Sequence, residues 1–361
     1  MKAAVLREVG KPLEIEDVQL DKPGPHEVLI RTVAAGVCHS DLHFQTGAYP
    51  HPLPAVLGHE SAGVVEAVGS EVYYVEPGDH VITCLSVFCG HCEYCLGGRP
   101  ALCRKAETRR RPEQPPRISK DGEVVHQFMD LSSYAEQLLV HEHALVKIRK
   151  DMPLDRAALI GCGVTTGLGA VFNTARIRVG STVAVIGCGG IGLSAVQGAS
   201  IAGASRVIAI DRLPEKLSLA SGFGATDLVN ASDGDPVAQV KELTGGGVDY
   251  SFEAIGLKQT AEQSFQMLKN GGTATVIGMI PVGTMIELHG VDFLFEKRIQ
   301  GSNMGSNRFR VDMPRYVDFY LSGKLKLDEM VSRRIRLNRV NEAFEALERG
   351  EMARQVIMLE D

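Results

Sequence analysis

Four cysteines lie close together in the sequence, in an arrangement that suits a metal ion. They are Cys89, Cys92, Cys95 and Cys103, in the pattern C-x2-C-x2-C-x7-C. Four thiolates can close a tetrahedral shell around zinc and leave no coordination position for another molecule, so a zinc held in this way is structural. An iron–sulfur cluster or two disulfides would use the same residues. His91 lies inside the segment but is surplus to the four thiolates, and we interpret it as a loop residue.

Three further residues have the chemistry of metal ligands but are scattered along the chain. Cys38 occurs in Gly36-Val-Cys-His-Ser-Asp41, His59 in Gly58-His-Glu60, and Cys162 in Ile160-Gly-Cys-Gly163. Each follows an apolar stretch and has a glycine close by, as a ligand at the end of an element would. A single buried cysteine is more often an inert apolar residue. Spacing alone does not show whether these three residues meet.

A glycine-rich stretch between two apolar runs predicts a dinucleotide site. The apolar run that starts at Val183 leads into Gly187-Cys-Gly-Gly-Ile-Gly192, and a helix is expected from Ile191 to Ala202. Gly187, Gly189 and Gly192 occupy the G-x-G-x-x-G positions, with Gly190 and Ile191 between them. Such glycines let the backbone turn tightly and approach a pyrophosphate at the helix N-terminus. A turn that binds nothing, or an S-adenosylmethionine site, would have a similar pattern.

The second apolar run, Arg206–Ile210, ends at Asp211, where a carboxylate would bind the ribose hydroxyls of the adenosine half. Its negative charge would repel a 2′-phosphate and therefore favours NAD over NADP. Arg212 beside it would weaken that preference.

The elements that position these residues change in character along the chain. Up to about Val140 the apolar runs are short and punctuated by glycine and proline, which predicts a β-rich domain. From about Leu154 strands and helices alternate, which predicts parallel βαβ units. The expected strands are Val183–Ile186, Arg206–Ile210, Asp227–Val229, Val248–Glu253 and Thr273–Ile277, with helices at Pro214–Gly222, Pro236–Thr244 and Gln259–Lys269. Helices near Met313–Leu321 and Arg339–Arg349 and a last strand from Gln355 complete the chain.

The composition excludes several classes of protein. The chain has 361 residues, 44% of them hydrophobic and 23% charged, which is enough for two ordinary globular domains. A net charge of −6 provides no general attraction to nucleic acid or anionic membranes. The N-terminus has no signal-peptide pattern, and no uncharged apolar run approaches the length of a membrane span. We therefore expect a cytoplasmic protein, in which clustered cysteines more often bind metal than form disulfides.

The segment Arg104–Asp130 stands out because it is basic and rich in proline around Arg109–Arg117. Proline excludes a regular helix or a central strand there. The segment could be an anion-binding arm, but we favour a solvated loop on the surface.

Taken together, these motifs resemble those of zinc-dependent alcohol dehydrogenases of the medium-chain dehydrogenase/reductase family. Gly58-His-Glu60 opens a segment G-H-E-x2-G-x5-G that ends at Gly69 and is similar to the zinc signature of that family. The resemblance runs essentially from end to end. It implies an α/β protein with a Rossmann doubly wound parallel sheet in residues 164–304. It also implies a β-rich GroES-like barrel domain, the catalytic domain, in residues 1–163 and 305–361, with the active site in the cleft between the two domains.

The resemblance also implies roles for the residues around the metal. Cys38, His59 and Cys162 would hold a catalytic zinc, and Cys162 separates alcohol dehydrogenases from polyol dehydrogenases, which usually carry glutamate at that position. Alcohol dehydrogenase is itself the standard example of a catalytic zinc held by two cysteines and one histidine. Glu60 would lie behind the metal, and Asp41 would orient the His59 ring.

Roles in cofactor binding and proton transfer follow from the same resemblance. Ser40 would take the proton of the alcohol and pass it through the nicotinamide ribose, and His43 would deliver it to solvent. His39 stands where many relatives have an arginine facing the pyrophosphate, so NAD would be held less tightly. Arg354 resembles the arginine that binds the pyrophosphate from the catalytic domain, and Lys216 resembles the lysine that reaches the adenosine ribose.

We therefore expect a cytoplasmic oxidoreductase with two zinc ions per chain and NAD, acting on primary alcohols and aldehydes. Its partners would be a small-molecule substrate and further copies of itself, in a homodimer or homotetramer, without nucleic acid or membrane. One alternative is a glutathione-dependent formaldehyde dehydrogenase, which shares a long loop after the four cysteines. Another is a catalytically silent structural relative, which the presence of all three ligand residues and of Ser40 and His43 argues against.

Overall fold

The computed structural model describes residues 1–104, 106–350 and 354–360. The chain divides into two compact units. Unit 1 comprises Met1–Cys162 and Arg308–Asp361, and unit 2 comprises Gly163–Asn307. The assignment of catalysis to residues 1–163 and 305–361, and of cofactor binding to residues 164–304, stays a prediction.

The elements follow the expected change from β-rich to alternating. The N-terminal part contains the strands β1 (Lys2–Leu6), β2 (Glu14–Asp17), β3 (Gln19–Leu20), β4 (Glu27–Val37), β5 (Ala55–Val56), β6 (Glu60–Val68), β7 (His80–Thr83), β8 (Ile118–Lys120), β9 (Glu123–Val124), β10 (His126–Gln127), β11 (Gln137–His141) and β12 (Leu145–Ile148), and the helices α1 (His39–Gln45), α2 (Glu93–Leu96) and α3 (Leu154–Leu159). The central part contains α4 (Thr165–Gly169), β13 (Thr182–Ile186), α5 (Gly190–Ile201), β14 (Arg206–Asp211), α6 (Pro214–Gly222), β15 (Asp227–Asn230), α7 (Pro236–Thr244), β16 (Val248–Glu253), α8 (Lys258–Gln266), β17 (Leu268–Val276) and β18 (Arg298–Gly301). The C-terminal part contains α9 (Phe309–Leu321), β19 (Val331–Arg336), α10 (Val340–Glu348) and β20 (Arg354–Met358).

Unit 2 is built on one parallel sheet of six strands in the order β15-β14-β13-β16-β17-β18. The first strand of the unit, β13, is central, with Val185 opposite Ala209 on one side and Phe252 on the other. This is the strand order of the Rossmann fold. The first three strands are added toward one edge of the sheet, and the next three are added on the other side of the first strand. The apolar runs around Val183 and Ile208 are buried, as a central parallel strand requires.

The predicted C-terminal end of one helix in unit 2 is wrong. We predict a helix over Gln259–Lys269, but α8 ends at Gln266 and Leu268 already begins β17. Leu268 lies opposite Val248 in the parallel ladder with β16, so backbone pairing across the sheet overrides the local helical pattern.

Unit 1 is held together by a seven-stranded sheet in the order β12-β7-β6-β4-β20-β19, with β11 also paired to β4. Strand β20, from the C-terminal end of the chain, pairs antiparallel with β4, so that Gln355 lies opposite Val37. Cys38 directly follows β4 and His59 directly precedes β6, and both strands are central in this sheet. The C-terminal segment is therefore part of the framework that positions them.

Among the described residues, one helical run, Leu154–Ala175, is long and apolar enough to cross a membrane by length and composition. Its mean hydropathy is 1.3, and 83% of the apolar window is buried inside the protein. A buried core helix meets the same criterion, so the run is weak evidence for a membrane segment. It contains the π-helical turn Ile160–Val164, in which Cys162 lies.

The segment Arg104–Asp130 is not simply the solvated loop that we favour from the sequence. Arg117 is buried, and its Nε donates to Glu27 Oε1 at 2.7 Å. Arg110 donates to the same carboxylate and also to Asp21. These guanidinium groups pair with carboxylates of unit 1, which a sequence pattern of charge and proline cannot reveal because the partners lie about 90 residues away.

Candidate functional site

The four clustered cysteines of unit 1 converge on one point. Their sulfur atoms all lie within 4.8 Å of one another, and none of the eight described cysteines forms a disulfide. The Sγ–Sγ distances include 3.5 Å for Cys92 and Cys95, 3.7 Å for Cys92 and Cys103, and 4.0 Å for Cys89 and Cys95. Four sulfurs at about 2.3 Å from a tetrahedral zinc would be about 3.8 Å apart. The geometry fits zinc, and the alternative of two disulfides is wrong.

The charges around this cluster also fit a cation. The backbone N–H of Cys95 is the first of several groups that lower the pKa of Cys92, to about 7. Burial, followed by the neighbouring Cys92 and Cys103, raises the pKa of Cys95 to about 12. Four thiolates this close repel one another unless a cation neutralises them. Nε2 of His91 instead lies 2.6 Å from the Glu107 carboxylate, and both side chains are exposed, which agrees with its interpretation as a loop residue.

The three scattered residues also meet, although they come from separate segments. Cys38 is the N-cap of α1 at the end of β4, His59 immediately precedes β6, and Cys162 lies in a π-helical turn after α3. All three are buried, and together with Glu60 they offer ligand atoms that lie within 4.8 Å of one another. Gly161 permits this approach because a Cβ atom there would lie 2.9 Å from the carbonyl oxygen of Thr83.

The imidazole of His59 is oriented by Asp41. Nδ1 of His59 lies 2.9 Å from Asp41 Oδ1, and a carboxylate can only accept, so Nδ1 carries the proton. Nε2 is buried and has no hydrogen-bond partner among the described residues, which leaves its lone pair for a metal. Burial would lower the pKa of His59, but the charges of Asp41 and Cys38 outweigh it and raise the pKa well above its usual value. The negative field that favours a second proton on this imidazole also favours a metal cation, which would take the place of that proton at Nε2, so these residues fit zinc.

Glu60 and Arg354 form a buried ion pair beside the three ligands. The Arg354 guanidinium contacts the Glu60 carboxylate and donates to the carbonyl oxygen of Val37 at 3.4 Å. Burial raises the pKa of Glu60 to about 7, and Arg354 opposes that rise. The predicted contact of Arg354 with a pyrophosphate stays a prediction, since in unit 1 this side chain faces Glu60.

The residues that follow Cys38 lie on α1. Ser40 Oγ is 3.7 Å from Cys38 Sγ, which places a hydroxyl next to the metal-binding set. His43 is half-buried, and its ring stacks edge-on against exposed His39 at 5.3 Å. Burial first, and then the neighbouring His39, lower the pKa of His43, so its imidazole is neutral near pH 7.

In unit 2 the glycine-rich turn has the shape that a dinucleotide needs. Gly187 has a φ of +93°, and a Cβ atom on Gly192 would lie 1.7 Å from the carbonyl oxygen of Gly187. Those two glycines are therefore required by the turn itself. A Cβ atom on Gly189 would meet nothing within 4 Å, so the chain's own packing does not explain this glycine. The open space beside Gly189, at the N-terminus of α5, fits the close approach of a pyrophosphate.

Asp211 closes this turn at the end of β14. Its Oδ2 accepts from the backbone N–H of Cys188 at 2.8 Å, and its Oδ1 accepts from those of Arg212 and Leu213. The carboxylate is thus held beside the glycine-rich turn, with exposed Arg212 next to it and half-buried Lys216 on the first turn of α6. Direct contact of these three side chains with a ribose stays a prediction.

Sequence reasoning misses one side chain of this environment. Tyr134 is fully buried, and its hydroxyl donates to Asp41 Oδ2 at 2.7 Å. It occurs in Ser133-Tyr134-Ala135, just before β11, and nothing in that local pattern points to a metal site 93 residues away.

Comparisons with known proteins agree with this architecture. Residues 24–150 match the alcohol dehydrogenase GroES-like domain, and residues 190–322 match the zinc-binding dehydrogenase domain. The chain is 39% identical over 365 residues to an alcohol dehydrogenase class-3 of Oryza sativa subsp. japonica, covering 99% of this chain and 96% of the rice protein. An alcohol dehydrogenase zinc-binding domain protein from Burkholderia ambifaria is similar in structure, with a TM-score of 0.95, 38% identity and coverage of 100% and 99%. A benzyl alcohol dehydrogenase from Acinetobacter calcoaceticus has a TM-score of 0.94, 34% identity and coverage of 99% of both chains.

These matches define a zinc-containing dehydrogenase with a GroES-like domain and a Rossmann-type parallel sheet, and they confirm the predicted fold class. The chain belongs to the zinc-dependent alcohol dehydrogenases of the medium-chain dehydrogenase/reductase family. It is an oxidoreductase whose cofactors are zinc and NAD, as the sequence predicts.

Proposed function

We propose that this enzyme interconverts primary alcohols and aldehydes at a zinc ion held by Cys38, His59 and Cys162, while a second zinc bound by the four clustered cysteines is structural. The observation that carries the proposal is the contrast between the two metal-binding sets of unit 1. The four-cysteine set can fill a tetrahedral shell. In the other set Glu60 is paired with Arg354, so two thiols and the unpartnered Nε2 of buried His59 leave one position open. When bound, zinc supplies Lewis acidity that makes an alcohol proton easier to lose, and NAD accepts the hydride.

In this proposal, the residues of α1 remove the proton of the alcohol. Ser40 Oγ, 3.7 Å from Cys38 Sγ, takes the proton in the first transfer. The neutral imidazole of His43 then delivers it to solvent, because its lowered pKa leaves it unprotonated at neutral pH. Glu60 and Arg354 form a buried ion pair next to the ligands, and the positive charge of Arg354 compensates the negative charge of Glu60.

The glycine-rich turn of unit 2 is the proposed site of the cofactor. The space beside Gly189 would admit the pyrophosphate, and Asp211 would bind the adenosine ribose. Three backbone N–H groups hold this carboxylate in place, which supports a preference for NAD over its 2′-phosphorylated form.

The contacts of the basic segment support a small uncharged substrate over a glutathione adduct. Arg109 pairs with Asp130, while Arg110 and Arg117 pair with Glu27. Arg110 and Arg117 are 13% and 8% exposed, so these two guanidiniums are engaged by Glu27 and are not offered to the carboxylates of glutathione. Addition of glutathione should therefore leave the rate with formaldehyde unchanged, whereas a rate that requires glutathione would establish the alternative.

We also propose a cytoplasmic homo-oligomer. Cysteines that are all free are typical of a reducing compartment, which supports the cytoplasm. In unit 2, Val282, Met285 and Leu294 are 79%, 75% and 81% exposed, and β18 is an unpaired edge strand of the described sheet. Exposed apolar side chains and an open edge favour association with a second copy. Light scattering should give a dimer or tetramer, and Leu294→Glu should reduce its mass.

The decisive experiment combines activity with metal content. A panel of simple and benzylic alcohols is assayed with NAD and NADP on a sample whose metals are measured. We expect two zinc ions per chain and NADH formation. Cys162→Ser should retain one zinc and a folded protein but lose turnover, while Cys84→Ser, the matched buried control outside both sets, should retain both zinc ions. Iron, a single metal per chain, or no NADH formation would overturn the proposal.

A further inference from the structure

The hydroxyl of Tyr134 contacts the residue that orients a proposed zinc ligand. Tyr134 is fully buried, and its hydroxyl donates to Asp41 Oδ2 at 2.7 Å. Asp41 in turn contacts Nδ1 of His59 through its other oxygen. Three side chains from distant segments thus form one hydrogen-bonded series that ends at Nδ1 of His59, the ring nitrogen opposite the proposed metal-binding Nε2.

The Asp41 carboxylate is held by hydrogen bonds to both of its oxygens, so it cannot rotate freely. Oδ1 faces Nδ1 of His59 at 2.9 Å and the backbone N–H of Gly58 at 3.1 Å. Oδ2 accepts from the Tyr134 hydroxyl at 2.7 Å and from the backbone N–H of Cys38 at 3.3 Å. Each oxygen accepts about two hydrogen bonds, which is the capacity of a carboxylate. The bond from Tyr134 is the shortest of the four, and without it Oδ2 keeps only the long contact with Cys38.

Tyr134 is itself rigid, so its hydroxyl cannot follow a movement of Asp41. Its backbone N–H donates to the carbonyl oxygen of Leu57 at 3.0 Å, and its own carbonyl oxygen accepts from Ala4 at 2.8 Å. The ring packs so closely on Gly58 that a Cβ atom there would lie 2.6 Å from it. Burial and the charge of Asp41 raise the pKa of Tyr134 well above its usual value, so the hydroxyl remains protonated and donates.

We infer that Tyr134 is a positioning residue of the proposed catalytic zinc site, acting on His59 through Asp41. The inference rests on the proposed function, because it assumes that His59 Nε2 binds the metal. A histidine ligand whose ring is held by a carboxylate binds metal more strongly, and loss of such a partner typically weakens binding roughly 10- to 100-fold. The Tyr134 hydroxyl should contribute through the same effect, because it restricts the carboxylate to the orientation that faces His59.

The test is the release of zinc to a chelator from Tyr134→Phe, a change that removes only the hydroxyl. The unmodified enzyme, loaded with two zinc ions, should release them in two phases, the faster one from the site with three protein ligands. In Tyr134→Phe the faster phase should accelerate roughly 10-fold or more, while the slower phase from the four cysteines stays unchanged. Asp41→Asn should accelerate the faster phase at least as much. The cobalt-substituted variant should show a changed ligand-field spectrum.

The matched control is Tyr320→Phe, which removes a tyrosine hydroxyl that contacts Asp328 at 3.2 Å elsewhere in unit 1. It should leave both phases unchanged. If the faster phase of Tyr134→Phe matches that of the control, or if both phases accelerate together with a loss of thermal stability, the inference is refuted and Tyr134 is merely structural. If the unmodified enzyme binds only one zinc, the proposed function fails first and the inference fails with it.

Discussion

Glu27 should hold the basic segment Arg104–Asp130 in place, and its replacement by glutamine tests this directly. The side chain of Glu27, at the start of β4, is only 7% exposed. Its Oε1 accepts from Arg117 Nε at 2.7 Å and from Arg110 Nε at 2.9 Å, and its Oε2 accepts from the backbone N–H of Gly24 at 2.8 Å. Glu27→Gln keeps the size of the side chain but removes the charge that compensates two guanidiniums.

The structure sets the magnitude of the effect. Burial would raise the pKa of Glu27, but Arg110 and then Arg117 outweigh it and lower the pKa from 4.5 to about 2. A difference of about 2.5 pKa units corresponds to an upper limit of about 3 kcal/mol of folding free energy. Leaving buried guanidiniums without their partner costs about 3–5 kcal/mol when the pair is wholly buried. Arg110 keeps Asp21 as a second partner, so we expect Glu27→Gln to destabilise unit 1 by about 2–3 kcal/mol at pH 7.

The pH dependence follows from the direction of the shift. A carboxyl group whose pKa is lowered by folding stabilises the folded state fully above its unfolded pKa, here 4.5. That stabilisation is lost as the pH falls toward the folded value of about 2. The difference in stability between the unmodified enzyme and Glu27→Gln should therefore be constant near neutrality and shrink below about pH 4.5.

The assay is urea unfolding of zinc-loaded protein followed by tyrosine fluorescence. The chain has no tryptophan, and seven of its eight tyrosines lie in unit 1, so this signal reports on that unit. Glu123→Gln is the control, because Glu123 forms an ion pair with Arg7 but is 51% exposed. A surface pair of that kind contributes about 0–1 kcal/mol. If Glu27→Gln is no more destabilising than the control, the ion cluster does not hold the segment and our reasoning is wrong.

Three further predictions concern the metal and cofactor sites. Cys95→Ser should lose one zinc ion and lower the melting temperature while the remaining zinc still supports turnover; unchanged metal content would contradict the four-thiolate site. Asp211→Ser should lower the ratio of kcat/KM with NAD to kcat/KM with NADP by roughly 10-fold or more, measured with one alcohol, because no carboxylate then repels the 2′-phosphate. If the unmodified enzyme already prefers NADP, this role of Asp211 is refuted. Ser40→Ala should nearly abolish alcohol oxidation with both zinc ions retained, and His43→Gln should reduce it roughly 10- to 100-fold, with activity recovering toward high pH and with small added bases. A His43→Gln enzyme with an unchanged pH profile would mean that the proton leaves by another route.

Much of unit 2 could be predicted from its sequence because the signals are local. The run from Val183, the glycine-spaced turn and the run that ends at Asp211 form one strand, turn, helix and strand, and each part has its own pattern of burial or flexibility. Helices α6 and α7 begin and end where proline and glycine predict. The end of α8 could not be predicted, because the pairing of Leu268 with Val248 depends on a neighbouring strand.

The sequence by itself determined the four-cysteine cluster, since ligands within a short segment can reach one ion without help from the rest of the fold. Only the tertiary structure decided that Cys38, His59 and Cys162 meet, because β4, the start of β6 and a helical turn must first pack together. The pairing of Tyr134 with Asp41 likewise joins residues 93 positions apart, and no local pattern specifies a contact of that range. Chemistry carried by neighbouring residues can be predicted from spacing, whereas chemistry assembled from distant segments depends on burial and hydrogen bonding that the whole unit imposes.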